Sequence, residues 1–99
     1  MPDYSIIFRQ RAIKKYAEST AWYKERSVQA SERFVAIIEN ALLSNAASPY
    51  SYNNKYKNFY EVKTERFPFT IVYFIKDKKK TVVITALFHN KRNPIKKYR

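Results

Sequence analysis

The spacing of apolar positions in the first half of the chain predicts a short strand followed by two helices. Residues 4–8 (YSIIF) are β-branched and aromatic, as is typical of a strand. From residue 9 to residue 26 the less polar side chains recur at helical spacing, which predicts an amphipathic helix. Its predicted inner face consists of Ile13, Tyr16, Ala17, Thr20 and Tyr23. A second helix is predicted after a cap at Ser27 or Ser31. The apolar stripe of that helix consists of Ala30, Phe34, Ile37, Ile38, Ala41 and Leu42.

In the second half of the chain the apolar spacing shortens to that of strands. Residues 44–54 (SNAASPYSYNN) are rich in Ser and Asn and contain Pro49, which predicts a loop that ends the second helix. Alternating side chains in residues 56–65 predict a strand. The run FPFTIVYFI at residues 67–75 is apolar on both faces, which predicts a central strand that is covered on both sides.

A lysine-rich break separates the two most apolar runs. KDKKK at residues 76–80 predicts a solvated turn, and TVVITALFH at residues 81–89 predicts the last strand. The predicted common face of that strand consists of Val83, Thr85, Leu87 and His89. The element order β-α-α-β-β-β predicts an α+β fold, with a helical hairpin packed on a small antiparallel-rich sheet. A single domain is predicted over residues 1–99, with residues 90–99 as a basic C-terminal tail.

Composition excludes several classes of site. The chain has no Cys and one His, so it has no disulfide, and a zinc or iron site would lack its usual three or four ligands. It has no Gly, which excludes the glycine-rich phosphate loops of nucleotide-binding proteins. We therefore expect no metal and no cofactor. The absence of a long apolar run and of a signal-peptide pattern predicts a cytoplasmic protein with no membrane contact.

Positive charge is concentrated in the second half of the chain. The formal net charge is +12, and residues 1–49 contribute only +2 from seven Lys or Arg against five Asp or Glu. Residues 50–99 contribute +10, from thirteen Lys or Arg against three Asp or Glu. Such a field attracts nucleic acid, acidic proteins or acidic membranes, and charge alone does not choose among them. A generically basic soluble protein is the simplest alternative.

Four phrases together resemble the RelE/ParE superfamily of toxins from bacterial type II toxin–antitoxin pairs. They are AWYKERS at residues 21–27, SERFVAIIENAL at 31–42, RFPFTIVYFI at 66–75 and ALFHNKRNP at 86–94. Each phrase falls on the matching predicted element, and together they cover nearly the whole chain. AWYKERS and RFPFTIVYFI are similar to ParE-like members, which include plasmid stabilisation proteins.

The resemblance implies a toxin that arrests growth when its antitoxin is lost. ParE-type members poison DNA gyrase, whereas RelE-type members cleave messenger RNA in the ribosomal A site without a metal. Because the fold is shared, it does not decide between the two mechanisms. We expect a gyrase inhibitor; the alternatives are a ribosome-dependent endoribonuclease and a non-toxic basic binding module.

If the chain were a ribonuclease, the resemblance would assign catalysis to Lys63, His89 and Arg92. Metal-free RNA cleavage needs a base, an acid and cations that stabilise the phosphorane. The sequence departs from the nuclease pattern twice, because Thr70 stands where nuclease members place an Arg, and Asn90 replaces the Tyr of a terminal His-Tyr pair. Lys63 is otherwise an exposed strand lysine, and His89 a packed strand-end histidine.

A second set of basic and aromatic residues is expected to bind the target or nucleic acid. This set consists of Arg66, Lys57, Lys91, Arg92, Lys96, Lys97 and Tyr98. The alternative for its last members is a solvated tail. The resemblance also implies a cognate antitoxin, whose acidic or amphipathic segment would lie along the two-helix face and the sheet edge. The expected assembly is a toxin–antitoxin hetero-oligomer.

Overall fold

The chain folds as a two-helix hairpin packed against one face of a five-stranded sheet. The computed structural model describes residues 4–56, 58–64 and 66–90. The elements in chain order are β1 (Ser5–Phe8), α1 (Gln10–Arg26), α2 (Val28–Ala47), β2 (Asn53–Tyr56), β3 (Phe59–Lys63), β4 (Phe69–Lys76) and β5 (Thr81–His89). Short 3-10 turns cover Pro49–Ser51 and Asp77–Lys79. The predicted α+β class and the order of its helices and main strands are confirmed.

The strand order in the sheet is β1-β5-β4-β3-β2. β1 runs parallel to β5, and the other neighbours are antiparallel. β4 is therefore the middle strand, as its two-sided apolar sequence predicts, and its first five residues are all buried. The predicted loop at residues 44–54 is wrong at both ends, because α2 continues to Ala47, and Asn53 and Asn54 belong to β2 and pair with β3. Tertiary pairing here overrides the weak strand preference of Asn.

Both helices form where predicted, with a single residue between them. The hydroxyl oxygen of Ser27 accepts a hydrogen bond of 3.1 Å from the Ala30 N–H and so caps α2. Ser31 lies inside the helix. The α2 stripe is confirmed, but the inner face of α1 is rotated from the prediction, because Ala12 and Ser19 are buried while Ile13 is 53% exposed.

The centre of the core is aromatic, and Phe34 of α2 lies in its middle. Phe34 is fully buried, and four rings from α1, the β3–β4 loop and β4 surround it. Their centroids lie between 5.0 and 6.0 Å from that of Phe34: Tyr16, Tyr23, Phe67 and Phe69. Tilted and edge-to-face pairs at such distances add to the stability that area burial provides.

A β-bulge interrupts β5 and reverses part of the predicted face. Val72 pairs with Ala86 while Tyr73 pairs with Ile84, so Thr85 is the additional residue on β5. Before the bulge Val82 and Ile84 face the helices, and after it Leu87 does. The predicted common face of Val83, Thr85, Leu87 and His89 is therefore wrong for its first two members.

The loop between β4 and β5 is fastened by one carboxylate. Asp77 accepts hydrogen bonds from the hydroxyls of Tyr4 (2.8 Å) and Tyr50 (3.1 Å). The ammonium of Lys80 lies 5.4 Å from the centre of the Tyr4 ring. The hydrogen bond from Tyr4, followed by that from Tyr50, lowers the pKa of Asp77 from its ordinary value of 3.8. Both bonds tie the loop to the two chain segments that pass beneath it.

Replacement of Asp77 by Asn should therefore destabilise the protein at neutral pH and have less effect in acid. The native pKa of Asp77 is lower than the unfolded one, so its contribution is complete above the unfolded value and is lost as the pH falls through the native value. Urea midpoints of wild type and Asp77→Asn should differ at pH 7 and converge toward pH 3. Glu32→Gln, at an exposed position of α2, is the control. An equal difference at both pH values would contradict the charged role of Asp77.

Candidate functional site

Three of the predicted site residues come together at one end of the sheet, where β3 and β5 end and β4 begins. Lys63 pairs with Thr70, and Phe69 pairs with His89. Arg66 lies in the loop that joins β3 to β4. We call this region the loop end of the sheet. The other predicted site residues lie outside the described part of the chain: Lys57, Lys91, Arg92, Lys96, Lys97 and Tyr98.

His89 lies on the face of the sheet that the helices cover. Its ring contacts Phe69 edge-on, with centroids 5.1 Å apart. Both residues line a cavity of about 250 Å³ between α1 and the strand ends. The α1 residues that line this cavity are Lys15, Glu18, Ser19, Trp22 and Tyr23. The sequence gives no signal for this group, because it depends on how α1 crosses the sheet.

Lys63 and His89 belong to opposite faces of the sheet. Successive residues of a strand point to opposite sides, so Lys63 shares the face of its partner Thr70, and His89 shares the face of Phe69. Lys63 is exposed at the end of β3, beyond the last residue that pairs with β2, and there it also borders a groove between β3 and α2. The structure thus brings the two residues to one end of the sheet without directing them at one point.

The two positions that depart from the nuclease pattern are bonded to each other. Thr70 is 1% exposed, and its hydroxyl donates a hydrogen bond to Oδ1 of Asn90. The N–H of Asn90 donates to the carbonyl oxygen of Pro68 at 2.7 Å. These two bonds fasten the end of β5 to the beginning of β4. The buried position on β4 therefore has a structural role and carries no cationic group.

Arg66 occupies a constrained position in the β3–β4 loop. Its φ of 70° lies in the left-handed region, which is uncommon for a residue with a Cβ. The loop is closed by Thr64, whose N–H donates to Phe69 O at 3.0 Å and whose hydroxyl donates to Phe67 O at 2.9 Å. The backbone of Arg66 is thereby held in a defined turn, while its side chain is exposed.

Neither a metal centre nor a membrane-spanning helix is found in the described residues. No three His, Asp or Glu side chains of residues 4–56, 58–64 and 66–90 lie close enough to hold a metal ion. In the same residues, neither helix is long and apolar enough to cross a membrane.

Solved structures with the same fold come from several toxin–antitoxin systems. The chromosomal ParDE system of P. aeruginosa aligns with a TM-score of 0.72 at 13% identity, over 87% of this chain and 95% of that chain. The isolated E. coli RelE toxin aligns with a TM-score of 0.63 at 18% identity, over 93% and 89% of the two chains. The RelBE2 complex of Mycobacterium tuberculosis aligns with a TM-score of 0.61 at 18% identity, over 90% of this chain and 93% of that chain. At these identities the likeness shows the fold.

The sequence itself identifies the family. No curated protein matches the chain significantly. Residues 6–94, however, match the family described as the ParE toxin of the type II toxin-antitoxin system, parDE. The match runs from β1 to beyond the end of β5 and so includes both helices and the loop end of the sheet. The chain belongs to the ParE toxin family of type II toxin–antitoxin systems.

Proposed function

We propose that this toxin arrests bacterial growth by inhibiting DNA gyrase in the cytoplasm. The observation that carries the proposal is the bond between Thr70 and Asn90. At the β4 position where nuclease members of the superfamily place an Arg, this chain has a buried hydroxyl that is already bonded. Without a guanidinium there, the phosphorane of a cleaved RNA would lack its central cation.

The arrangement of the other candidate catalytic groups supports the same conclusion. A general acid or base has to reach the proton that it transfers, within about 3 Å or through one water. His89 lies against Phe69 on the helix-covered face, whereas Lys63 belongs to the opposite face with Thr70. The alternation of strand residues thus assigns the two side chains to opposite sides of the sheet, which does not favour their converging on one phosphate. Binding to a protein target needs no such convergence.

An antitoxin is the second proposed partner. The structural neighbours include RelBE complexes of toxin with antitoxin from E. coli and from M. tuberculosis. In this chain, α2 and β3 border an open groove of about 250 Å³ whose apolar lining includes Ile37, Ala41 and Val62. We propose that an amphipathic, acidic antitoxin segment anchors its apolar side chains in this groove. The basic toxin would add electrostatic attraction, and the result would be a toxin–antitoxin hetero-oligomer.

The proposal predicts inhibition of gyrase without cleavage of RNA. Purified toxin should inhibit supercoiling of relaxed plasmid by gyrase, and ribosome-bound transcripts should keep intact 5′ ends in primer extension. His89→Phe is the sharpest variant, because it keeps a ring against Phe69 and removes the ring nitrogens. It should inhibit gyrase as wild type does.

Two outcomes would contradict the proposal, and a third would contradict the prediction for His89→Phe. Codon-phased cuts in transcripts that disappear in His89→Phe would establish the endoribonuclease. Normal growth on induction without an antitoxin would indicate a non-toxic basic binding module. Loss of gyrase inhibition in a folded His89→Phe protein would mean that the imidazole takes part in the activity. Circular dichroism and the urea midpoint of the variant show whether it is folded.

A further inference from the structure

The end of the sheet opposite the loop end carries a second concentration of positive charge. Residues 76–80, the lysine turn, contain four lysines and one carboxylate, and all five side chains are exposed. The four lysines are Lys76, Lys78, Lys79 and Lys80. In the described residues no carboxylate oxygen lies within 4 Å of their ammonium groups. The turn therefore presents a net charge of +3 to solvent, without an ion pair to a carboxylate of another segment among the described residues.

The lysine turn is a fixed structure. The Ser5 N–H donates to the Lys80 carbonyl at 2.8 Å, and the Lys80 N–H donates to the Asp77 carbonyl at 3.1 Å. Lys80 adopts the left-handed conformation, with φ 47° and ψ 51°, which closes the turn in a chain that has no Gly. The Asp77 carboxylate accepts the hydroxyls of Tyr4 and Tyr50. The one acid of the turn is thereby bonded to the body of the protein.

We propose that the lysine turn binds the phosphate backbone of duplex DNA without sequence preference. Duplex DNA carries about one negative charge per 1.7 Å of helix axis, a dense and regular array of charge opposite to that of the turn. Lysine ammonium groups contact phosphates as point charges, and the turn has no Arg, Asn or Gln to add the bidentate base contacts that those residues make. Contacts of this kind position a protein on DNA and carry no sequence information.

The aromatic residues beside the turn favour a duplex over a single strand. Proteins that bind single strands stack bases on free aromatic faces. Here Lys80 lies over the Tyr4 ring, and the Tyr50 ring makes an edge contact with Tyr60 at 6.0 Å. Both hydroxyls are bonded to Asp77. Although the Tyr50 side chain is 56% exposed, both tyrosines fasten the turn through their hydroxyls, which favours the phosphates of a duplex as the partner.

The DNA contact would be spatially separate from the loop end of the sheet. β4 joins the two ends with eight residues, Phe69–Lys76. At about 3.3 Å per residue, they lie roughly 25 Å apart. The inference goes beyond the proposed gyrase inhibition, because a protein target at one end leaves the lysine turn free to contact DNA. The two proposals can therefore fail separately.

The test is fluorescence anisotropy of a labelled duplex of random sequence over 50 to 200 mM salt. The triple variant Lys76→Gln, Lys78→Gln, Lys79→Gln removes three ammonium groups and leaves Lys80 on Tyr4. Its affinity at 50 mM salt should fall by about tenfold or more, and the slope of log K against log salt should decrease by about 2.7, or 0.9 for each lost phosphate contact. The matched control removes the same charge from exposed helix positions: Lys14→Gln, Lys24→Gln, Arg33→Gln.

The control variant should keep most of the wild-type affinity for the duplex. Its slope of log K against log salt should equal that of the wild type. Equal losses in the two triple variants would overturn the proposal, because net charge alone would then explain binding. Tighter binding of single-stranded DNA or RNA than of the duplex would overturn it too. Unchanged DNA affinity in the turn variant would also overturn it. This includes the outcome in which the variant still binds DNA but no longer binds an acidic antitoxin peptide. A supercoiling assay of the same variants reports on gyrase inhibition independently.

Discussion

The replacement Phe34→Ala should lower the free energy of unfolding by about 3 to 5 kcal/mol. The Phe34 side chain is fully buried and lies where α1, α2 and β4 meet. Its removal would leave a cavity whose walls are other aromatic rings, each held by its own neighbours, so the cavity could not close by small shifts. A domain of this size has a total stability of about 5 to 15 kcal/mol. The variant should therefore lose a large fraction of it.

Chemical denaturation measures this loss, and the same helix supplies a control. Leu43 of α2 is 63% exposed, so Leu43→Ala should change the free energy of unfolding by less than about 0.5 kcal/mol. Both variants replace a larger apolar residue by Ala in one helix, and they differ in burial. If the two losses were similar, a change in the helix itself would explain them, and the central position of Phe34 in the core would be wrong.

The sequence predicted the helices and main strands because their apolar spacing is strong. It misplaced the inner face of α1 because periodicity ranks positions by hydrophobicity and ignores size. Ala12 and Ser19 are small, which allows α1 to approach β5 closely, and Ile13 is left largely exposed. The aromatic core followed from composition. Which aromatic residue lies at its centre, Phe34, could not be predicted, because that depends on how the helices pack across β4.

The strand register was the part that spacing could not supply. β2 contains Asn53 and Asn54, which favour turns, and forms only because β3 offers an edge for pairing. The bulge at Thr85 is invisible in a run that is apolar on both sides, because either register buries similar side chains. A shift of one residue exchanges the faces of a strand. Val83 was therefore predicted to share the face of His89 and does not.

At the candidate site too, the sequence indicated which residue types matter but not which of them are in contact. The sequence marked Thr70 and Asn90 as departures from the nuclease pattern. It could not show that they bond to each other, since that contact depends on the pairing of β4 with β5 across 20 positions. It also marked the lysine turn only as solvated. The tyrosine hydroxyls that fix Asp77 come from residues 27 and 73 positions away.

Loss of one buried hydroxyl should have the second large effect on stability. Tyr73 is fully buried in β4, and its hydroxyl donates a 2.5 Å hydrogen bond to the carbonyl oxygen of Pro49, which is also buried. Burial raises the pKa of Tyr73, so the hydroxyl remains a donor at all ordinary pH values. Tyr73→Phe keeps the ring and leaves the carbonyl without this donor. The free energy of unfolding should fall by about 1 to 3 kcal/mol.

The matched control for this variant is Tyr60→Phe. The Tyr60 ring stacks on that of Tyr73 at 5.4 Å, and its hydroxyl forms no hydrogen bond with the described residues. Its replacement should cost less than about 0.5 kcal/mol. Tyr73→Phe should also speed amide exchange at Ser51, whose N–H donates to the Ser48 carbonyl in the 3-10 turn that begins at Pro49. That turn carries Tyr50, so the buried hydroxyl indirectly steadies the Asp77 contact and the lysine turn. If Tyr73→Phe and Tyr60→Phe lowered the free energy of unfolding equally and amide exchange at Ser51 were unchanged, the bond from Tyr73 to Pro49 would not anchor this turn.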